Sequence, residues 1–335
     1  MLELNDPLWH KLDDAHRDRD IPKLLCELAK TWDDDAASSL FWDCLCHQGT
    51  CYGATYAVVP HLLRIAEPEG NKHQRLEIAY FLSSVVLNAF DTRTRHLGEP
   101  REEPLQGLPL SLDAWDRKLD VFRSLAANLE GRRRAASDYE QNELLPRYRR
   151  ILATDPVNAA DLEQIELVRS EFHQALPEIR ALCQRALRES LQDKYAVTHL
   201  LSGAAAADGL CDLARLLSHG SEGSFKCSSC DWEHEYILFE DRVAIYAAEN
   251  APSASQARPT AEDRSLLDFK DRIPSRSDGF MQPIQESAEM ADSRVTALLA
   301  LAEQTSSPLP ALLLRNFLGS FVCSKCGVEG PIKSI

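Results

Sequence analysis

The sequence predicts an all-α fold: a solenoid of stacked helical hairpins, closed near its C-terminal end by a small β-hairpin and a metal knuckle. Three observations predict it. Leu and Ala are abundant while Gly is scarce, at 14 of 335 residues, which favours helix. Helical pairs with one plan recur along the chain, and two matching cysteine couplets stand late in it. On this reading residues 1–220 form the helical repeats. Residues 221–335 hold the knuckle hairpin, a long loop over 251–283 and the last helices.

Near the start, Asn5-Asp6-Pro7 offers a cap followed by proline in a first turn. Ile21 to Lys30 reads as a short helix with Leu24, Leu25 and Leu28 on one face. Asp33, Asp34 and Asp35 lie where the next helix begins, with their carboxylates at the positive end of its dipole. That helix is expected to bury Leu40, Phe41, Cys44 and Leu45 and to stop at His47-Gln48-Gly49. The Cys44, Cys46, His47 and Cys51 group resembles no usual zinc knuckle, and a helix end followed by a turn explains it.

The repeat rests on two pairs of stretches. Residues 58–65 (Val58-Val59-Pro60 onward) precede 75–84, and residues 175–182 (Ala175-Leu176-Pro177 onward) precede 194–203. Proline sits inside the first stretch of each pair and a basic residue, Arg75 or Lys194, opens the second. Leu309-Pro310 begins a partial third copy. In a solenoid each hairpin buries its apolar face only by stacking on its neighbours, and an interior proline bends the helix in a way that suits a curved stack. Further helices are expected at 111–129, 137–153, 285–304 and 309–318. Glu235–Phe239 and Arg242–Tyr246 read as two strands of a hairpin.

The couplets are Cys227-Ser-Ser-Cys230 and Cys323-Ser-Lys-Cys326, each preceded by an aromatic residue two positions earlier, Phe225 and Phe321. Four thiolates in two CxxC turns are the usual ligand set of a closed structural Zn2+ site, which leaves no coordination position for water. A redox reading would require a βαβ context that the sequence lacks. His234 is the nearest substitute ligand should one cysteine not reach. Cys26, Cys183 and Cys211 fall on apolar helix positions and read as small core residues.

Composition narrows the function. The net charge of −15 argues against a nucleic-acid partner, which needs a basic footprint. No run of apolar residues is long enough to span a membrane and no leader is evident, so a cytoplasmic protein is expected. No phosphate loop, G-x-S-x-G elbow or H-E-x-x-H motif is present, and Glu102-Glu103 reads as a solvated pair, so no catalytic residue is assigned. The basic run Arg132–Arg134 reads as a solvent-facing helix end, and the nearly neutral segment 101–150 that holds it also carries Arg147-Tyr148-Arg149-Arg150.

The stretch from Phe41 to Ala66, with His47-Gln48-Gly49-Thr50, Tyr52, Ala54-Thr55, Ala57 and Val59-Pro60 at its centre, resembles bacterial HEAT-repeat-like proteins found among immunity proteins of polymorphic and contact-delivered toxins. The zinc-ribbon-like couplet at Cys227 and Cys230 is similar to one carried late in some of them. The resemblance implies HEAT-like repeats over 1–220 and a non-enzymatic protein that neutralises a cognate toxin by occluding its active site. An acidic surface would speed capture of a basic toxin, such as a nuclease or an RNA-modifying enzyme. Asp231, Glu233, Glu235, Glu240 and Asp241 are then the expected contact residues, because their charge is concentrated beside a rigid element. A general scaffold without a toxin partner is the alternative. A HEAT-like DNA-repair glycosylase fits less well, because it needs a basic groove.

Overall fold

The computed structural model describes residues 1–15, 20–47, 50–67, 71–90, 105, 107–132, 136–189, 194–218, 222–238, 242–247, 279–284, 292–305 and 308–334. These residues are mostly helical, with short antiparallel strands concentrated near the C-terminus. The chain divides into two compact units, Met1–Glu178 and Ile179–Ile335. Among the described residues no helix is long and apolar enough to cross a membrane.

The first unit opens with a 3-10 turn, Pro7–His10, capped by the Asp6 carboxylate, which accepts from the Leu8 N–H. Helix α1 (Ile21–Lys30) buries Ile21, Leu25 and Leu28, and the Asp20 side chain caps it on the Lys23 N–H. Asp33 caps α2 (Asp34–Ser38), whose first turn carries Asp34 and Asp35. The aspartate run is therefore spent on a helix start. Beyond α2 the helix widens to π geometry over Ser39–Leu45, burying Leu40, Phe41, Cys44 and Leu45. It ends in two short paired strands, β1 (Cys46–His47) and β2 (Thr50–Cys51).

Helices α3 (Gly53–Ala66) and α4 (Lys72–Phe90) follow. Pro60 lies inside α3, as the repeat predicts. Phe41 stacks on Phe81 of α4 at 4.4 Å between ring centroids, with Trp42 edge-on to the same ring at 5.6 Å. Helices α5 (Leu112–Gly131) and α6 (Leu145–Leu152) share an apolar seam of Phe122, Ala126, Leu129, Leu145, Tyr148 and Ile151. A π turn over Glu140–Leu144 leads into α6. Helix α7 (Ala159–Arg188) contains Pro177 and carries the boundary between the units. Its Phe172 meets Tyr56 of α3 edge-on at 5.1 Å.

In the second unit α8 (Lys194–Ala207) and α9 (Cys211–Ser218) pack as a pair, and the Ser202 hydroxyl donates to the Ala214 carbonyl at 2.6 Å. Five strands then form one antiparallel sheet. They are β3 (Glu222–Cys227), β4 (Glu233–Leu238), β5 (Val243–Ala247), β6 (Gly279–Phe280) and, from the end of the chain, β9 (Ile332–Ser334), in the order β6-β5-β4-β3-β9. Helices α10 (Ser293–Glu303) and α11 (Leu309–Phe317) precede a separate pair, β7 (Phe321–Val322) with β8 (Glu329–Gly330).

The expected hairpin is present as β4 and β5, paired from His234↔Ala247 to Leu238↔Val243. The sheet around it is larger than the sequence predicts. Residues 251–278 of the expected long loop lie outside the described residues. Its last part is not loop: β6 pairs Ala244↔Phe280 and Ile245↔Gly279, and Gln282 bridges Ser320. Of the helix expected over 285–304, residues 285–291 lie outside the described residues, and α10 occupies the rest. Cys183 is fully buried, whereas Cys26 and Cys211 are only half-buried.

Candidate metal centre

Each couplet is the turn of a two-stranded hairpin, and the two hairpins repeat one hydrogen-bond pattern. In the first, the Cys227 N–H donates to the Trp232 carbonyl at 2.9 Å and the Asp231 N–H donates to the Cys227 carbonyl at 3.0 Å. In the second, the Cys323 N–H donates to Val328 at 3.1 Å and the Gly327 N–H donates to Cys323 at 2.8 Å. The fourth residue after the leading cysteine is left-handed in both, Asp231 with φ 53° and Gly327 with φ 69°. Glycine takes that conformation freely and aspartate is among the residues that tolerate it. The strand registers match as well: Phe225↔His234 with Lys226↔Glu233, and Phe321↔Gly330 with Val322↔Glu329.

The two turns face each other. The Cys227 and Cys326 sulfurs are 3.9 Å apart and those of Cys230 and Cys323 are 3.8 Å apart. All four Sγ atoms lie within 4.8 Å of one another, an arrangement compatible with one metal ion. Cys227 and Cys323 are buried, and Cys230 and Cys326 are exposed. Beneath the sulfurs lies an aromatic floor in which Phe225 and Phe321 meet edge-on at 4.9 Å. His234, fully buried, stacks on Phe225 at 5.5 Å and is edge-on to Phe321 at 5.2 Å. The two aromatic residues that precede the couplets are thus the packed base of the site. Tyr236 extends the floor towards Phe317 at 5.1 Å, and its hydroxyl donates to the Leu216 carbonyl at 3.1 Å.

The four crowded thiols influence one another's ionisation. At Cys227 burial opposes ionisation, but the Ser229 and Cys230 N–H groups and the neighbouring thiols outweigh it and bring the thiol down to about 7. At Cys230 the Trp232 N–H favours the thiolate, yet burial and the adjacent Cys326, Cys227 and Cys323 sulfurs push it up to about 12. Burial likewise raises Cys323, and the Cys326 and Cys227 sulfurs add to the rise. Cys227 ionises most readily, while Cys230 and Cys323 are held protonated to higher pH, as expected for like charges sharing a site. The His234 Nε2 lies 3.3 Å from the Cys323 sulfur. With its proton on Nε2, the imidazole donates to that sulfur and takes up part of the charge, the usual work of a residue behind a metal ligand.

Of the expected acidic contact residues, Asp231 and Glu233 are exposed beside the first turn and Glu235 is half-buried on β4. Glu233 and Glu235 alternate with the buried His234 and Tyr236, so they occupy the face of β4 away from the aromatic floor. Glu240 and Asp241 lie outside the described residues.

Cys44, Cys46, His47 and Cys51 do not gather as a metal-ligand set; among the described residues only the four late cysteines do. Cys44, Cys46 and Cys51 are buried. The basic runs divide. Arg132 pairs with Glu140 at 2.6 Å and Arg149 with Glu130 at 2.6 Å, both exposed, while Arg133 and Arg134 lie outside the described residues. Arg147 of the second run is buried. It lies 3.3 Å from Asp13, which also meets Lys118 at 3.4 Å, and its guanidinium covers the Tyr52 ring at 5.1 Å. No local sequence signal marks this buried ion cluster, because Asp13, Lys118 and Arg147 lie far apart in the chain.

No protein-family model, curated protein or solved structure matches the chain.

Proposed function

We propose that Cys227, Cys230, Cys323 and Cys326 hold one structural Zn2+, and that the chain is a non-enzymatic binding protein of the bacterial immunity kind. On this reading it acts in the cytoplasm and neutralises a cognate protein toxin by occluding its active site. The sulfur geometry supports the zinc. Four sulfurs at about 2.3 Å from a common tetrahedral centre stand about 3.8 Å apart, and the two opposed pairs stand at 3.9 and 3.8 Å. A set of four thiolates is closed to water, so the ion acts as a cross-link between two hairpins.

The binding role rests on what surrounds that cross-link. Asp231 and Glu233 are exposed beside a turn tied by hydrogen bonds, on a chain of net charge −15. A rigid acidic edge steers and captures a basic partner. The resemblance of Phe41–Ala66 to HEAT-like immunity proteins supports the same reading, as does a proline inside both α3 and α7. The finer architecture we propose is a HEAT-like stack over 1–220.

Two measurements test the proposal. Metal analysis of the purified chain should return one zinc per chain, and the Cys323→Ser chain should return none. The product of the neighbouring gene should co-purify with the chain. The triple charge reversal at Asp231, Glu233 and Glu235 should weaken that complex about tenfold or more and flatten its salt dependence. A neighbouring product that does not bind overturns the immunity reading and leaves the scaffold reading in its place.

A further inference from the structure

We propose that Cys46 and Cys51 form a thiol pair that closes to an intrachain disulfide when a hydroperoxide oxidises it. The two residues stand directly opposite each other in the β1–β2 pairing, next to the His47↔Thr50 pair. Their sulfurs are 3.3 Å apart and both residues are buried. Antiparallel pairs alternate between those that exchange hydrogen bonds and those that do not, and side chains come closest in the latter. The Cys46 N–H donates to the Phe41 carbonyl, which places this pair in the latter kind. The Cys51 N–H donates to the Asn88 side-chain oxygen of α4 at 3.4 Å. A cross-strand pair of this type falls within the Cα separation that a disulfide requires.

The flanking structure holds the pair in register. The Thr55 hydroxyl accepts from the Tyr52 N–H at 3.0 Å and donates to the Leu45 carbonyl, so the residues just outside both cysteines are tied to one side chain. Cys44 is also buried, but it lies on the π-helical segment, outside the paired strands. The pairing therefore selects Cys51 as the partner of Cys46, and not Cys44.

The chemistry balances with the hydroperoxide as the only co-reactant. One sulfur attacks the terminal peroxide oxygen, the O–O bond breaks, and the leaving alkoxide takes a proton to become the alcohol. The resulting sulfenic acid is attacked at sulfur by the second thiol, the S–O bond breaks, and water leaves with the remaining proton. Two thiols lose two electrons and the hydroperoxide gains them. The new bond ties the end of the Ser39–Leu45 segment to the start of α3. This chemistry depends on neither the metal nor a toxin partner.

The test uses the zinc-loaded full chain and hydrogen peroxide. After exposure the chain is unfolded, alkylated without reduction and cut with trypsin, which places Cys44, Cys46 and Cys51 together in the fragment spanning residues 31–64. The expected fragment carries one alkyl label, on Cys44, and is about 2 Da lighter than its labels alone predict. Prior reduction restores all three labels. Cys44→Ser should keep the bond, and Cys51→Ser should lose it and take the label on Cys46. If Cys51→Ser does not fold, Cys46→Ala serves instead. The proposal is overturned by three labels after oxidation, by a bond that includes Cys44 or reaches another fragment, or by higher sulfur oxides with no bond.

Discussion

His61 is buried and its Nε2 lies 3.0 Å from the Leu2 carbonyl. Burial holds its imidazole below the ordinary value of 6.5, although the hydrogen bond to Leu2 favours the protonated form. A base with a lowered folded pKa is protonated first in the unfolded chain as the pH falls. Its contribution to stability is complete above the unfolded value and shrinks as pH drops through the window below it. The thermal midpoint should therefore fall by a few degrees more between about pH 7.5 and pH 5.5 in the wild type than in His61→Gln, which keeps a donor for Leu2 and cannot titrate. Equal pH slopes in the two proteins would count against this role. Little of this is legible in the sequence, where His61 is one residue of an apolar helix with no sign of its partner. Cys227, Cys230, Cys323 and Cys326 are legible in the sequence as two candidate knuckles, because knuckle spacing is a local property.

Helix α3 owes its start to a contact between two glycines. A Cβ on Gly53, its first residue, would lie 2.5 Å from the Gly107 carbonyl oxygen. Gly107 has φ +89°, and a Cβ on it would lie 2.3 Å from the Gly53 nitrogen. Both obstacles are backbone, which cannot swing aside. Gly53→Ala should lower stability by about 2–3 kcal/mol, read as a reduced denaturant midpoint. Gly131→Ala, at a site where a Cβ meets nothing within 4 Å, should be neutral or slightly stabilising and serves as the control. Comparable losses in both variants would remove the contact as the cause. At this scale many helices are legible in the sequence. The apolar spacing of Ile21–Lys30 and the aspartates before Asp34–Ser38 act within a turn or two of chain. Strand β3 is not legible, because Glu222-Gly223-Ser224 carries no apolar alternation and its pairing comes from β4 and β9.

For the whole molecule the test is metal removal. If Zn2+ joins the two hairpins, a strong chelator should release the four thiols of Cys227, Cys230, Cys323 and Cys326 together to a thiol reagent. Protease cuts should then appear in the sheet of the second unit, within 222–334. Re-addition of zinc should reverse both effects. Exposed Cys230 and Cys326 that react at full rate before chelation would show that no ion holds them. The aromatic floor of Phe225, His234 and Phe321 should lose its fixed near-ultraviolet circular dichroism in the same step, because those rings pack directly beneath the sulfurs.

The sequence by itself determined where many of the helices run, how the aspartates cap them, and that each couplet has the spacing of a metal knuckle. Each of these depends on residues a few positions apart, whose geometry the backbone period dictates. Only the tertiary structure decided that the two couplets meet, that His234 backs one of their sulfurs, and that Arg147 is buried on Asp13. It alone brought Cys46 and Cys51 face to face. These are contacts made by strand register and by packing between distant segments, and no local pattern of residues encodes them.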